Sequence, residues 1–216
     1  RAEARHRAGG PSRGLRRGRG GWACPRVATV TGVDGSLDDW DLPAAWAPGT
    51  MARSPFLPFG DFYLSWAPNG LLVGVVYNDY STGSADPAVP ASLSRLSLAV
   101  ERAGAEPFVA TLAAFPGPKG KAPRIEPLAE DGQPVARRAR LVRAAHGASS
   151  LTTIAEVLVP AAALGGAPLA AGERLRVGAT ARQPGDSKEI GWPQVWGGPR
   201  PRPRMLADIV LAEAGS

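Results

Sequence analysis

Residues 61–80, DFYLSWAPNGLLVGVVYNDY, constrain the fold more than any other stretch of this chain. Phe62, Leu64 and Trp66 alternate with Tyr63 and Ser65, the period of two expected of a half-buried strand. Pro68 stops that strand, and Asn69-Gly70 can take the positive φ values that a two-residue hairpin turn requires. Leu71, Val73, Val75 and Tyr77 then share one face, while Leu72 and Val76 make the other face apolar too. A strand apolar on both sides is usually central and covered on both faces. It ends in the polar tip Asn78-Asp79-Tyr80-Ser81, which it delivers to one rim of a sheet.

The rest of the chain reads as more short strands. Gly and Pro, 27 and 22 of 216 residues, favour many turns over long helices. Strands are expected at Arg26–Thr31, Leu93–Glu101, Pro107–Phe115, Arg124–Leu128, Arg137–Ala145, Ser150–Val159, Glu173–Arg182 and Met205–Ala212. Pro160–Leu164 reads as one helical turn with Pro at an allowed first position, and Leu42–Phe59 as irregular backbone crossing the sheet. Strands at this density predict an all-β fold, an antiparallel sandwich with jelly-roll or immunoglobulin-like layers, over residues 25–216. No run of about 18 apolar residues exists, so no membrane-spanning helix is expected.

The formal charge of +6 belongs to the start of the chain. Residues 1–24 carry seven arginines against the single Glu3, and the remainder balances at 18 basic and 18 acidic residues. This Arg/Gly-rich arm is too poor in apolar surface to offset its chain entropy and is expected to be disordered. It could neutralise phosphates, but no aromatic platform or groove-reading helix accompanies it, so a solvated linker or leader remnant is the preferred reading over nucleic-acid binding. No apolar stretch follows the arginines as a secretion signal would require. Cys24 is the only cysteine, which excludes an intrachain disulfide and a thiolate metal cluster.

Catalytic chemistry finds little to work with. His6 lies in the arm, and His146 ends an apolar strand beside Gly147. Asp38 and Asp39 are adjacent and point apart, so nothing places two carboxylates across a cleft at glycosidase separation. Asp34, Asp38 and Asp39 crowd one Gly-rich loop, which raises a calcium site. The alternative is that Asp34 closes an Asx turn while the others cap a helical turn or meet solvent.

Laid out in this order, the chain resembles the family 9 carbohydrate-binding modules and their DOMON-like relatives. The likeness covers residues 26–212 as a series of landmarks. Val33-Asp34-Gly35-Ser36-Leu37-Asp38-Asp39-Trp40 is similar to the family's early turn of Asp-Gly followed by Asp and Trp. Leu64-Ser65-Trp66, Asn69-Gly70, Leu71–Tyr77 and Asp79 match its central hairpin. Glu156-Val157-Leu158-Val159-Pro160 matches a strand bearing Glu before a helical turn, and Trp192 with Met205–Leu211 its final Trp loop and closing strand. Sugar-binding members clamp a terminal sugar between two Trp rings. Here the first ring's position falls in Asp86–Ser94, which has no aromatic, and the acidic strand after it reads Leu96-Ser97-Leu98-Ala99-Val100. Some DOMON-like relatives hold haem, but Met51, Met205 and His146 share no ligand spacing that supports one.

The resemblance implies a non-catalytic module that binds a poly- or oligosaccharide, outside the cell or in the periplasm, beside a glycoside hydrolase or an envelope protein. Its expected site stacks a sugar on Trp192 or Trp196, with Asn78, Asp79, Tyr80, Arg182 and Gln194 bonding the hydroxyls. Trp40, Trp46 and Trp66 are expected in core or rim packing. The competing expectation is a structural or protein-interaction domain of the bacterial envelope that keeps the sandwich without the sugar clamp.

Overall fold

The structure, a computed structural model, describes residues 21–27, 32–47, 60–78, 94–115, 124–128, 137–149, 152–182, 189–192 and 206–213. Two sheets face each other as a sandwich. The smaller is built on the expected hairpin, β2 (Gly60–Ala67) and β3 (Gly70–Asn78), followed by β8 (Thr152–Pro160) and β7 (Arg143–Ser149) in the order β2-β3-β8-β7. The larger runs β1 (Trp22–Cys24), β11 (Ala207–Leu211), β9 (Arg174–Arg182), β4 (Arg95–Arg102), β5 (Phe108–Phe115) and β6 (Arg124–Pro127). A short β10 (Glu189–Trp192) also pairs with β9, on the edge that β11 occupies lower down.

β3 is central, as its two apolar faces require. Leu71, Val73 and Val75 enter the main core, together with Phe62, Leu64 and Trp66 of β2 and the inward rows of the larger sheet. Its other face is covered by a loop over residues 32–47, whose Leu37 and Ala45 form a second cluster with Tyr63 and draw in Trp40, Leu42, Val76 and Ile154. Gly74 lets that loop close down, because a Cβ there would lie 3.0 Å from Leu37 Cδ2. The loop holds one helical turn, α1 (Leu42–Ala45), capped by the Asp41 carboxylate on Ala44 N at 3.4 Å.

Four sequence expectations are corrected. Ala67 pairs with Gly70, so the two loop residues of the central hairpin are Pro68 and Asn69. Gly70 already belongs to β3 and is required by close approach rather than by φ: a Cβ would sit 2.5 Å from the Val159 carbonyl oxygen. Arg137–Ala145 is not one strand. A 3-10 helix over Ala139–Leu141 buries Ala139, and pairing with β8 begins only at Arg143. Trp22–Cys24, placed by sequence in the arm, forms β1 parallel to β11. Of the strand expected at Arg26–Thr31, Arg26 makes a bridge to Trp66, and residues 28–31 lie outside the described residues.

The chain after β1 crosses to the other sheet, where Trp66 N donates to the Pro25 carbonyl and Val27 N to the Trp66 carbonyl. Trp66 Nε1 in turn donates to the Ala212 carbonyl at 3.0 Å, and the Arg26 guanidinium stands 5.3 Å over the indole. Residues 22–27 thus strap one side of the sandwich and cover part of the free edge of β2, as edge strands need.

Candidate functional site

Which residues share a rim follows from the lower end of the sandwich. Arg102 closes β4 and donates to the carbonyls of Leu164, Ala167 and Pro168, besides its ion pair with Glu173. Leu164 ends the 3-10 helix that follows β8, and Pro160 of β8 pairs with Gly70 at the start of β3. The start of β3, the end of β4 and, through the Arg102–Leu175 pairing, the start of β9 therefore lie at one end. Asn78, Arg95 and Arg182 end or begin their strands at the opposite, upper end. The structure thus brings two expected site residues, Asn78 and Arg182, to the same end. Asp79, Tyr80, Gln194 and Trp196 lie outside the described residues.

Trp192 does not join them. It pairs with Ala179, three residues below the top of β9, which is about 10 Å at strand rise. Ala179 points into the core, and so does its directly opposed partner. Trp192 is 2% exposed and meets Trp22 edge-on, ring centroids 6.3 Å apart. Buried this way, its indole offers no open face for a sugar. Trp66 is core as expected and Trp40 is half-buried, whereas Trp46 is 49% exposed. Trp46 bridges to Tyr63 on the outer edge of β2.

Above the level of Trp192, strand register sets polar residues in rows on the outward side of the larger sheet. Leu96, Leu98 and Val100 of β4 point into the core, so Arg95, Ser97 and Ala99 point away. The pairing registers set Glu126, Ala113, Arg95, Arg182 and Glu189 in one row across five strands. The next row on this face is Thr111, Ser97, Thr180 and Gly191. Ser97 Oγ and Thr111 Oγ1 are buried and hydrogen-bonded to each other at 2.9 Å. Of these residues only Arg182 was expected from sequence. The others become a group only through strand register, which their sequence positions do not reveal.

The aspartate loop is organised by a residue that sequence placed elsewhere. Glu156 on β8 is 2% exposed, and its Oε2 accepts from Asp34 N at 2.8 Å and Gly35 N at 3.0 Å, while Oε1 accepts from Trp40 Nε1 at 3.4 Å. Burial pushes its carboxyl above the usual glutamate range. The three N–H donors pull in the opposite direction, and the nearby Asp34 carboxylate adds to the rise. Calcium at Asp34, Asp38 and Asp39 finds no ligand set. Asp34 Oδ1 accepts from Ser36 N at 2.8 Å in the local Asx-type turn, Asp38 N donates to Ser36 Oγ, and among the described residues no three His, Cys, Asp or Glu side chains converge as metal ligands. Burial also raises the Cys24 thiol well above its ordinary range, which leaves it unreactive at neutral pH. Among the described residues no helix is long and apolar enough to cross a membrane.

No family model matches the sequence, and no curated protein does. Solved structures do. A family 9 carbohydrate-binding module from Caldicellulosiruptor kristjanssonii in complex with cellotriose is 13% identical, with a TM-score of 0.56 over 90% of this chain and 94% of that one. The same description in complex with glucose gives 11% identity and a TM-score of 0.57 over 90% and 97%. A candidate carbohydrate-binding protein from Bacteroides uniformis ATCC 8492 gives 12% and 0.55 over 88% and 97%. Across nearly its whole length, then, the chain has the β-sandwich fold of the family 9 carbohydrate-binding modules.

Proposed function

We propose that this chain is a non-catalytic carbohydrate-binding module. The observation that carries the reading is the match of 90% of the chain to a fold whose solved examples hold cellotriose and glucose. A set of landmarks in the sequence points to the same fold independently, and two of them meet in space where Glu156 binds the backbone of Asp34 and Gly35. The sugar site lies at the upper end, where Asn78 and Arg182 close their strands beside Arg95, with Asp79, Tyr80 and Gln194 completing the polar set. Trp196 is its stacking ring, and Trp192 supports the sheet from which that segment departs. The module works outside the cell or in the periplasm, as an accessory to a glycoside hydrolase or an envelope protein.

Titration of the full chain with glucose and cellotriose, followed by tryptophan fluorescence, tests the reading. Trp196→Ala is expected to abolish a saturable signal while leaving thermal unfolding unchanged; an unaltered titration would remove Trp196 from the site. Burial of Trp192, together with the lack of any aromatic in 86–94, favours a second reading. In that reading the domain keeps the sandwich for structural or protein-interaction work in the bacterial envelope, and no sugar binds.

A further inference from the structure

The lower end of the sandwich carries a basic surface, away from the end proposed for sugar. Residues 132–155 hold four arginines and no aspartate or glutamate. The four fall in the run Arg137-Arg138-Ala139-Arg140-Leu141-Val142-Arg143, around the 3-10 helix Ala139–Leu141. Side chains three apart eclipse on such a helix, and Leu141 N and Val142 N donate to the carbonyls of Arg138 and Ala139. Ala139 is buried in the main core and Val142 packs against it, and the same spacing leaves Arg137, Arg140 and Arg143 exposed. Arg143 opens β7 opposite Leu158, which faces away from the core because its neighbours Val157 and Val159 face into it. Arg138 instead turns onto the carbonyls of Glu106, Pro107 and Ala163 and the Glu106 carboxylate, so it anchors the turn and engages that acid. Among the described residues no carboxylate pairs with Arg137, Arg140 or Arg143. Leu141 stands between them in the run, 44% exposed. An exposed aliphatic side chain flanked by guanidinium groups has the character of a protein interface, apolar within and polar at its rim. A polyanionic glycan or nucleic acid would gain nothing from the leucine.

We propose that this lower-end surface docks an acidic protein segment, whose carboxylates meet Arg137, Arg140 and Arg143 and whose apolar side chain covers Leu141. The docking does not depend on the carbohydrate-binding reading, and a sugar at the opposite end leaves it free. Fluorescence anisotropy of the full chain with two labelled peptides of equal charge tests it, one of Glu-Glu-Leu repeats and one of Glu-Glu-Ser repeats, at low salt where exposed charges are least screened. The leucine peptide is expected to bind tighter than the serine peptide. Replacing the three arginines together (Arg137→Gln, Arg140→Gln, Arg143→Gln) is expected to weaken the leucine peptide at least about tenfold. Leu141→Ser is expected to remove its advantage over the serine peptide. All four side chains are exposed, so thermal unfolding of each variant should match the wild type. The seven arginines of residues 1–24 are present in every variant, so binding that survives the triple substitution belongs to that arm and overturns the proposal. Absence of binding to either peptide would overturn it too. Equal affinity of the wild type for the two peptides, or competition by polygalacturonate as effective per charge as that of the leucine peptide, would make this a general polyanion surface and equally overturn it. None of these outcomes bears on whether sugar binds.

Discussion

Glu156 ties the 34–40 loop to β8. Its carboxylate is the acceptor for three N–H groups of the 34–40 loop, and removing it leaves buried donors without a partner. Glu156→Ala is expected to cost about 2–4 kcal/mol in denaturant unfolding, an unpaired buried donor being worth roughly 1–3 kcal/mol. The pH dependence has a definite sign. With its folded pKa raised above the unfolded value, the native state holds a proton that the unfolded chain has already released. Stability is therefore highest below the ordinary glutamate range and falls as pH rises through that range to the raised folded value. Glu156→Gln cannot titrate and should lose this slope; an identical slope in the variant would assign it to another group. Trp192 offers a contrasting test. As a core residue it should cost about 3–5 kcal/mol on truncation to Ala, read from denaturant unfolding. Unchanged stability with loss of sugar binding would instead make it a ligand contact.

At the scale of elements, the strand pairs with clear alternation were legible and the ones held by distant partners were not. β2, β3, β4, β5, β8 and β9 follow from apolar periodicity, which burial on one side of a sheet imposes. The residue-level register of the central hairpin was not legible, because Asn69-Gly70 is the stronger turn signal although the chain turns at Pro68-Asn69. β10, four residues in a Gly/Pro-rich stretch, is defined only by its pairing to β9. β1 was hidden for a similar reason. Trp22, Ala23 and Cys24 follow an Arg/Gly run of low apolar content, yet they bury Cys24 against Leu211 and strap the sandwich. Deleting residues 1–24 should therefore lower stability, by roughly 2–4 kcal/mol for the loss of the buried Cys24 and the partly buried Trp22. Deleting residues 1–20 alone should leave it nearly unchanged. Paired unfolding curves check this, and equal stability of the two truncations would contradict the role given to β1.

For the whole molecule, the two ends of the sandwich divide the work. The lower end is tied together by Arg102, whose guanidinium meets three carbonyls and Glu173, and by Arg138, which donates to the carbonyls of Glu106, Pro107 and Ala163. The upper end carries Asn78, Arg95 and Arg182, on strands fixed from below. Two of the residues at this end could be read in advance. Asn78 and Arg182 stand out as polar groups ending apolar strands, while Arg95, Glu126 and Glu189 join them only through pairings across the sheet. The expected ring Trp192 was misplaced because sequence gives an aromatic's neighbours and not the direction in which it points. The central claim is that this sandwich binds sugar, and calorimetry of the full chain against a panel of neutral and acidic oligosaccharides measures it most directly. The account predicts saturable heat for at least one of them, retained when residues 1–20 are removed. No heat from any member of the panel, with the protein folded by circular dichroism, would contradict it.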